Sequence, residues 1–547
     1  MRSIEPEPSK SPPPWRGVPG EWAGALGVAL AALVVHGRSV AFGFVDLDDR
    51  DFIVGDRAFL AHPADVLRAF ARPYMQVVDP SHPYQRPLVT ASYVLDAQWS
   101  GVRPLGYHVT NVGLHALASV LCLALLRRLG FGRLVSVLCA LTFAVHPALA
   151  SNVAWIPGRN DSLLAVFVLG AWIAFIAYCE TRSRRAHVIH LGLFALALFT
   201  KETAVMLPLV CSAYCMTSGW SSRRARPYPD ARRDAHPEAS PPEGPSEGPP
   251  EVAGVRCILG ILPGWAACVT ARLLARPFAP AAAQPTLVDI ASHLRLLPSG
   301  LGQIVFPFGP SLVGVVSGSP VGGGLLAVVL VAAVMVLTRR VRPQMVLFGA
   351  AWFALWSLPS LIVPGTLVLG SRLYLPAVGA VIAAAELIRA PRLEPRVLAA
   401  FGGAAILGLA LAAAGYEETF RNPRAFARAA VEGAPRSAVA HLCMAAVDQR
   451  AGDDDGALAE YKLALSLGST YVAHNNVAVI HMARGRWADA ERELRDELAV
   501  DPAYALAYRN LAIVLRHEGR PDEATAVEAR ANELAGGDEP GGGPTVH

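Results

Sequence analysis

Charge is what this sequence is short of. Only 17% of its 547 residues are Asp, Glu, Lys or Arg, against roughly 25% in an ordinary soluble protein, which excludes a wholly water-soluble globule. The shortage lies in the first three quarters, and the chain after Tyr416 has a normal soluble composition. The net charge of +4 is small and says little about partners, and no nucleic acid is expected among them. Cysteine is sparse and scattered. Cys122, Cys139, Cys179, Cys211, Cys215, Cys257 and Cys268 fall in apolar runs or at their edges, and Cys443 falls in the soluble part. That pattern excludes a disulfide framework and a zinc site, and leaves small hydrophobes. No Gly-rich phosphate loop appears, so no nucleotide is expected as donor. No small-residue cleavage motif follows the first apolar run, which reads as a retained helix.

What is present in quantity is apolar sequence, at 53%. Runs long enough to cross a ~30 Å hydrocarbon core recur at about 21–43, 106–126, 134–150, 162–179, 187–200, 203–217, 254–275, 321–337, 344–363, 373–389 and 396–415. That is about eleven spans over 21–416, after a tail at 1–20. Every second loop is basic: Lys10 and Arg16, then Arg127, Arg128 and Arg133, then Arg182, Arg184 and Arg185, then five Arg between 218 and 253, then Arg339, Arg340 and Arg342, then Arg389, Arg392 and Arg396. Basic loops stay in the cytoplasm. The N-terminus is therefore expected inside and, with an odd span count, the C-terminal part outside. Segment 289–316 is apolar but broken by Pro298, Pro307 and Pro310, and reads as re-entrant or interfacial. Loop 218–253 and tail 536–547 are Pro-, Gly- and acid-rich without periodicity, and are expected to be disordered.

Past residue 424 the pattern becomes amphipathic and repeats. Gly452, Gly485 and Gly519 are spaced by 33 and 34, and Ala457, Ala490 and Ala524 keep the same spacing. A period near 34, with Gly at a turn and Ala at a helix crossing, is the tetratricopeptide signature. Three repeats are expected over 424–535, forming a concave surface for an extended peptide or a partner helix. The fold class is thus all-α: a polytopic membrane domain followed by an α-solenoid.

Polar residues gather at one side of the spans. The long first outer loop, 44–105, begins FVDLDDRDFIV, with Asp46, Asp48, Asp49 and Asp51 within six residues. Carboxylates this close raise one another's pKa, which suits a general base. Asp46, Asp48 and Asp49 could also share a divalent cation. On the same side fall Arg86, His108, Asn111, His146, Trp155, Arg159, Asn160, Asp161, Lys201, Glu202, Arg372 and Tyr374. Ionisable groups at membrane depth cost several kcal/mol unless paired. Cations beside an acidic pair fit a substrate joining phosphate to sugar, with Arg and Lys for the phosphate and Asp for an attacking hydroxyl.

In order, FVDLDDRDFI, RPL, GYHVTNVGLHAL, FAVHPALASNVAWIPGRND, FTKE, SRLYLPAVG and then the repeats resemble the transmembrane and tetratricopeptide-repeat O-mannosyltransferases and their bacterial relatives, of the GT-C glycosyltransferase class. The resemblance runs over about residues 20–535. It implies a polyprenyl-phosphate sugar as donor, mannose in the eukaryotic members, and a protein Ser or Thr hydroxyl as acceptor, with inversion at the anomeric carbon. It places the acidic pair on Asp48 and Asp49 and leaves open which is the base. The His-Pro and Gly-Arg-x-Asp elements match His146-Pro147 and Gly158-Arg159-Asn160-Asp161, Lys-Glu matches Lys201-Glu202, and Arg-x-Tyr-Leu-Pro matches Arg372 to Pro376. Arg159, Lys201 and Arg372 are expected to neutralise the donor phosphate, with Arg86, His146, Asp161, Glu202 and Tyr374 as further site candidates. No cofactor is required beyond the lipid-linked sugar, a divalent cation being optional. The repeat array is much shorter than in the eukaryotic members, and a non-enzymatic scaffold for envelope proteins is the rival reading. The Ala-, Arg- and Gly-rich composition suggests a bacterium with a GC-rich genome, and the inner membrane as location.

Overall fold

The computed structural model describes residues 19–45, 47–74, 85–217, 250–275, 286–307, 312–315, 319–362, 367–468 and 472–534. Each expected span coincides with a helix: Pro19–His36, Pro104–Arg128, Arg133–Ala144, Arg159–Thr181, Arg184–Thr200, Leu207–Thr217, Pro250–Leu274, Gly322–Leu337, Pro343–Leu361, Tyr374–Arg389 and Pro395–Glu417. Seven spans are long and apolar enough to cross a membrane unaided. Arg133–Ala144 and Pro147–Ala154 make an eighth only as a pair bent by 51°. Glu202–Thr217 and Gly322–Leu337 are shorter apolar helices, so the count of eleven rests on short elements. The chain is an integral membrane protein.

Its centre is helix Arg159–Thr181, whose span is 67% buried, while the span Pro395–Phe420 is 6% buried. The outer helices show Phe401, Leu407 and Leu411 to their surroundings, which costs nothing in lipid. Without a hydrophobic drive between helices, small residues set the crossings. A Cβ on Gly349 would lie 2.6 Å from Gly379 O and 2.9 Å from Ala383 N, so helices Pro343–Leu361 and Tyr374–Arg389 meet backbone to backbone. The first and last spans are tied by a buried polar contact, His36 Nδ1 to Glu417 Oε1 at 2.5 Å. At one end of the bundle the basic turns are neutralised in place: Arg342 and Arg389 close on Glu386, and Arg128 on Glu180.

The connecting segments carry structure of their own. The first outer loop is not mere connection: Pro87–Ser100 is a helix that buries Val89, Tyr93 and Val94. Segment 289–316 forms two short helices, Leu287–His293 and Leu296–Val305. Ten residues reach only about 15 Å at 1.5 Å each, so neither helix alone is long enough to cross. It then enters strand β1 (Val313–Val315), which pairs antiparallel with β2 (Leu367–Leu369), a small departure from all-α. Of the loop 218–253, residues 218–249 lie outside the described residues, and helix begins at Pro250. The tail 536–547 and most of 1–20 also lie outside them.

The C-terminal solenoid is a leading helix, Pro423–Gly433, and three helix pairs: Ala438–Arg450 with Asp454–Ser466, Ala473–Ala483 with Trp487–Val500, and Ala505–His517 with Pro521–Leu534. Gly452, Gly485 and Gly519 sit at the turns with φ of +81°, +70° and +77°, a region other residues enter only under strain. Ala457, Ala490 and Ala524 are fully buried at the crossings. Each of the first two pairs is pinned by an equivalent contact, His441 to Glu460 at 2.6 Å and His474 to Glu493 at 2.7 Å.

The Gly349–Gly379 crossing yields a stability prediction. Gly379→Val should lower the midpoint of thermal unfolding in detergent, at a cost of about 1–3 kcal/mol or more, because backbone rather than a flexible side chain blocks the added atoms. Gly403→Ala, where no atom lies within 4 Å of the new Cβ, should leave the midpoint unchanged.

Candidate active site

At the end of the bundle opposite the basic turns lies a cavity of about 210 Å³. Its wall is assembled from helix ends and turns far apart in sequence. Asp48 and Phe52 come from the first outer loop, Arg86 from the residue before helix Pro87–Ser100, and Trp155, Asn160 and Asp161 from the turn into the central helix. Lys201, Glu202 and Thr203 come from the next outer turn, Trp356 and Ser360 from the end of Pro343–Leu361, and Ser371 and Arg372 from the turn after β2.

The two candidate bases separate clearly. Asp48 faces the cavity. Its backbone is left-handed, φ +68°, a conformation that Asp tolerates better than most residues. A single π-helical turn, Asp51–Gly55, follows it. Burial, helped by the charge of Asp51 and opposed by Arg86, pushes the Asp48 carboxyl up to about 6. Asp49 turns the other way and is 1% exposed. One carboxylate oxygen accepts from Trp155 Nε1 at 2.9 Å, and the other from Val45 N at 3.1 Å. Burial holds its pKa well above the ordinary carboxylate value, against those two hydrogen bonds. Asp49 therefore shapes the loop, and Asp48 is the group placed to take a proton. Asp46 lies outside the described residues. Among the described residues Asp48 and Asp49 join no third ligand close enough to share an ion; the group that does, His474, Glu493 and Asp496, is in the repeats.

Three cations line the cavity: Arg86, Lys201 and Arg372. Arg86 grips Glu202 through two hydrogen bonds, of 2.7 and 3.2 Å. Lys201 Nζ donates to Asp161 Oδ1 at 2.6 Å. Burial would raise the Glu202 carboxyl, but the adjacent Arg86 charge and its hydrogen bonds outweigh it and hold the group at about 2. Burial lowers the Lys201 pKa, with Asp161 opposing. Arg372 is positioned from behind, where Asn152 Nδ2 donates to Ser371 O at 2.9 Å.

The structure takes three expected residues away from the cavity. Arg159 has no exposed surface and is enclosed by protein: it pairs with Asp96 at 2.6 Å and donates to Asn111 Oδ1, Ser92 Oγ and Tyr107 O. It is not placed to meet a phosphate. His146 bonds Ile304 O through Nε2 and accepts from Ala148 N. Tyr374 OH meets His115 Nδ1 at 2.6 Å inside the bundle. Both are framework. Sequence reasoning missed Asp96, which lies in what read as plain loop, and the cavity residues Tyr74, Thr203 and Trp356, which no motif marks.

Residues 111–230 match the family model described as dolichyl-phosphate-mannose-protein mannosyltransferase. A protein O-mannosyl-transferase of Drosophila melanogaster (Tmtc1) is 33% identical over 190 residues, 35% of this chain and 22% of that protein. A human protein O-mannosyl-transferase (TMTC4) is 31% identical over 214 residues, 34% of this chain and 28% of that protein. The match thus spans about a quarter of each curated relative. A crystal structure of ArnT from Cupriavidus metallidurans bound to undecaprenyl phosphate aligns with 95% of this chain and 78% of that one, at 14% identity and a TM-score of 0.36, too low to carry an argument about the site. The resemblance read from the motifs is borne out: the chain is similar to the transmembrane and tetratricopeptide-repeat O-mannosyltransferases.

If Arg159 is framework, its loss is a folding lesion. Arg159→Leu should cost about 3–5 kcal/mol by leaving Asp96 buried without its counter-ion, read as lost accumulation and a lower unfolding midpoint. Lys201→Met, at the cavity wall, should accumulate far closer to the wild type. Equal accumulation of Arg159→Leu and wild type would return Arg159 to the list of substrate ligands.

Proposed function

We propose that this chain is a membrane glycosyltransferase that moves a sugar, mannose in the first instance, from a polyprenyl-phosphate donor to a hydroxyl acceptor, a protein Ser or Thr, on the extracytoplasmic side of the membrane. The observation that carries the reading is the meeting of Asp48 with Arg86, Lys201 and Arg372 in one cavity at the non-basic end of the bundle. The similarity to protein O-mannosyltransferases supports the same chemistry. The alternation of basic loops supports the side, with the N-terminus cytoplasmic and the repeats outside, as in a bacterial inner-membrane protein.

The step follows from the charges. A lipid phosphodiester carries one negative charge. As the bond from the anomeric carbon to the phosphate oxygen breaks, the electron pair stays with the phosphate, and the charge there rises to two. Cations fixed beforehand near that oxygen stabilise the charge that develops, and their effect is greatest in a partly dry site. Glu202 and Asp161 keep Arg86 and Lys201 in position before any substrate arrives, so little reorganisation is left for the reaction itself. On the opposite side of the sugar, Asp48 accepts the proton of the acceptor hydroxyl as its oxygen bonds the anomeric carbon. A single displacement inverts that centre. No metal is needed to balance the step. The repeats, beyond the cavity, offer a concave surface to the acceptor chain.

Asp48 must be ionised to act. With its pKa near 6, kcat/KM should be level above about pH 7 and fall about tenfold per unit below pH 6. Asp48→Asn keeps the left-handed backbone accessible and should lower kcat by about 10²–10⁴ with donor KM little changed. The assay is release of prenyl phosphate from a short-chain prenyl-phosphate mannose with a Ser/Thr peptide, together with glycopeptide masses from the envelope proteome. Wild-type glycopeptides and turnover in the Asp48→Asn variant would end the assignment of Asp48 as the base, whereas a wild-type protein that releases no prenyl phosphate would favour a scaffold.

A further inference from the structure

We infer that the leading helix of the repeat domain, Pro423–Gly433, is a working part of the active site: docked on the Trp155 turn, it holds the loop that carries Asp48 in its catalytic position. The inference rests on the transferase reading above and adds a positioning role for Trp155 and Phe426.

Leu47 and Asp48 lie just before the helical turn that begins at Asp49, and Asp48 is held at positive φ. Such a backbone persists only where its surroundings impose it. What surrounds it is Trp155. The indole N–H is shared between Leu47 O at 2.8 Å and Asp49 Oδ1 at 2.9 Å, the two residues that flank Asp48. The same ring lines the cavity on one side. On the other it belongs to a buried cluster with Phe42, Val45, Leu312, Phe420, Phe426 and Ala430. Phe426 and Ala430 come from the leading repeat helix, and Phe420 from the turn before it.

Two further ties fix this docking. Gly43 N donates to Arg421 O at 3.1 Å, and Arg38 pairs with Glu418. The helix also packs against β1. β1 pairs with β2, and β2 leads directly into the turn Gly370–Leu373 that bears Arg372. One helix of the repeat domain thus abuts the supports of both the proton acceptor and a phosphate-side cation. Among the described residues, no repeat-domain side chain lines the cavity. Its influence must pass through these supports. The charged and titratable groups facing Asp48 are Asp49 and Asp51 on its own segment, Tyr74 and Arg86 from the rest of the first loop, Asp161 from the central helix, Lys201 and Glu202 from the next turn, and Arg372 from the turn after β2. An undocked helix would let water reach Asp48 and let it relax away from this set.

The test uses the full chain in proteoliposomes, with a short-chain prenyl-phosphate mannose and a Ser-containing tripeptide too short to bridge from the repeats to the cavity. Phe426→Ala should lower kcat by about tenfold or more, with donor KM little changed. It should also move the acid limb of the pH profile down toward the ordinary carboxylate value. Phe426→Leu, which keeps the apolar contact, should restore both. Trp155→Phe, which keeps the ring but not the N–H, should lower kcat with the repeats still docked. Leu494→Ala, in the core of the distal repeats, should change neither kcat nor the profile. Wild-type kcat and pH profile in Phe426→Ala would overturn the inference. If that variant fails to accumulate, Trp155→Phe decides, and unchanged kcat in it overturns the inference equally. A wild-type protein that releases no prenyl phosphate would instead refute the transferase reading itself.

Discussion

Everything on the polar face of this molecule is arranged around one guanidinium that has no contact with solvent. Arg159 sits at the start of the central helix and holds Asp96 and Ser92 of helix Pro87–Ser100 together with Tyr107 and Asn111 of helix Pro104–Arg128. It also lies against the ring of Tyr93, 4.8 Å from its centroid. A cation taken wholly out of water is costly unless every donor is met, and here side chains and a backbone carbonyl from two helices meet it. That requirement fixes where the first outer loop lies on the bundle. Asn111, whose oxygen takes the Arg159 proton, spends its amide group on the carbonyls of Val153, Trp155 and Ile156. The same network that pins the loop helix therefore pins the turn bearing Trp155, and through it Asp49.

From that base the cavity acquires its chemical asymmetry. Two of its cations are held by carboxylates at the wall, while its one raised carboxyl, Asp48, is held by its backbone and by burial. Arg86 and Lys201 are fixed in pairs with carboxylates, and Asp48 is left with a pKa of about 6, the kind of shift that marks candidate functional groups. Two adjacent acids in one sequence motif thus take different tasks because their surroundings differ.

Much of this was legible in the sequence because it is periodic or compositional. Apolar length shows the helices, alternation of basic loops shows the two ends, and a spacing near 34 shows the solenoid. The order of short motifs pointed to Asp48, Lys201 and Arg372, which the structure brings into one cavity. What could not be read were pairings across distance. Nothing near Arg159 tells that its partner is Asp96, in a stretch without a motif, so a framework cation passed for a phosphate ligand. His146 and Tyr374 passed for site residues for the same reason: a polar group near a span end looks alike whether it faces a cavity or a backbone carbonyl. Nor does spacing tell Asp48 from Asp49. The distinction is set by Trp155, more than a hundred residues on.

The contact between His36 and Glu417 joins the first apolar helix to the last, and it bears on how the molecule comes into being. A ribosome makes the loop carrying Asp48 early, the Trp155 turn after it, Arg372 much later, and the helix that packs on Trp155 last. Until residue 417 enters the bilayer, the first helix keeps a buried imidazole without its partner carboxylate. The first and last helices can meet through this contact only once the final span is made, and the helix that packs on Trp155 follows that span in the chain. The polar end of the bundle is therefore complete only when the last apolar helix and the helix that follows it are in place.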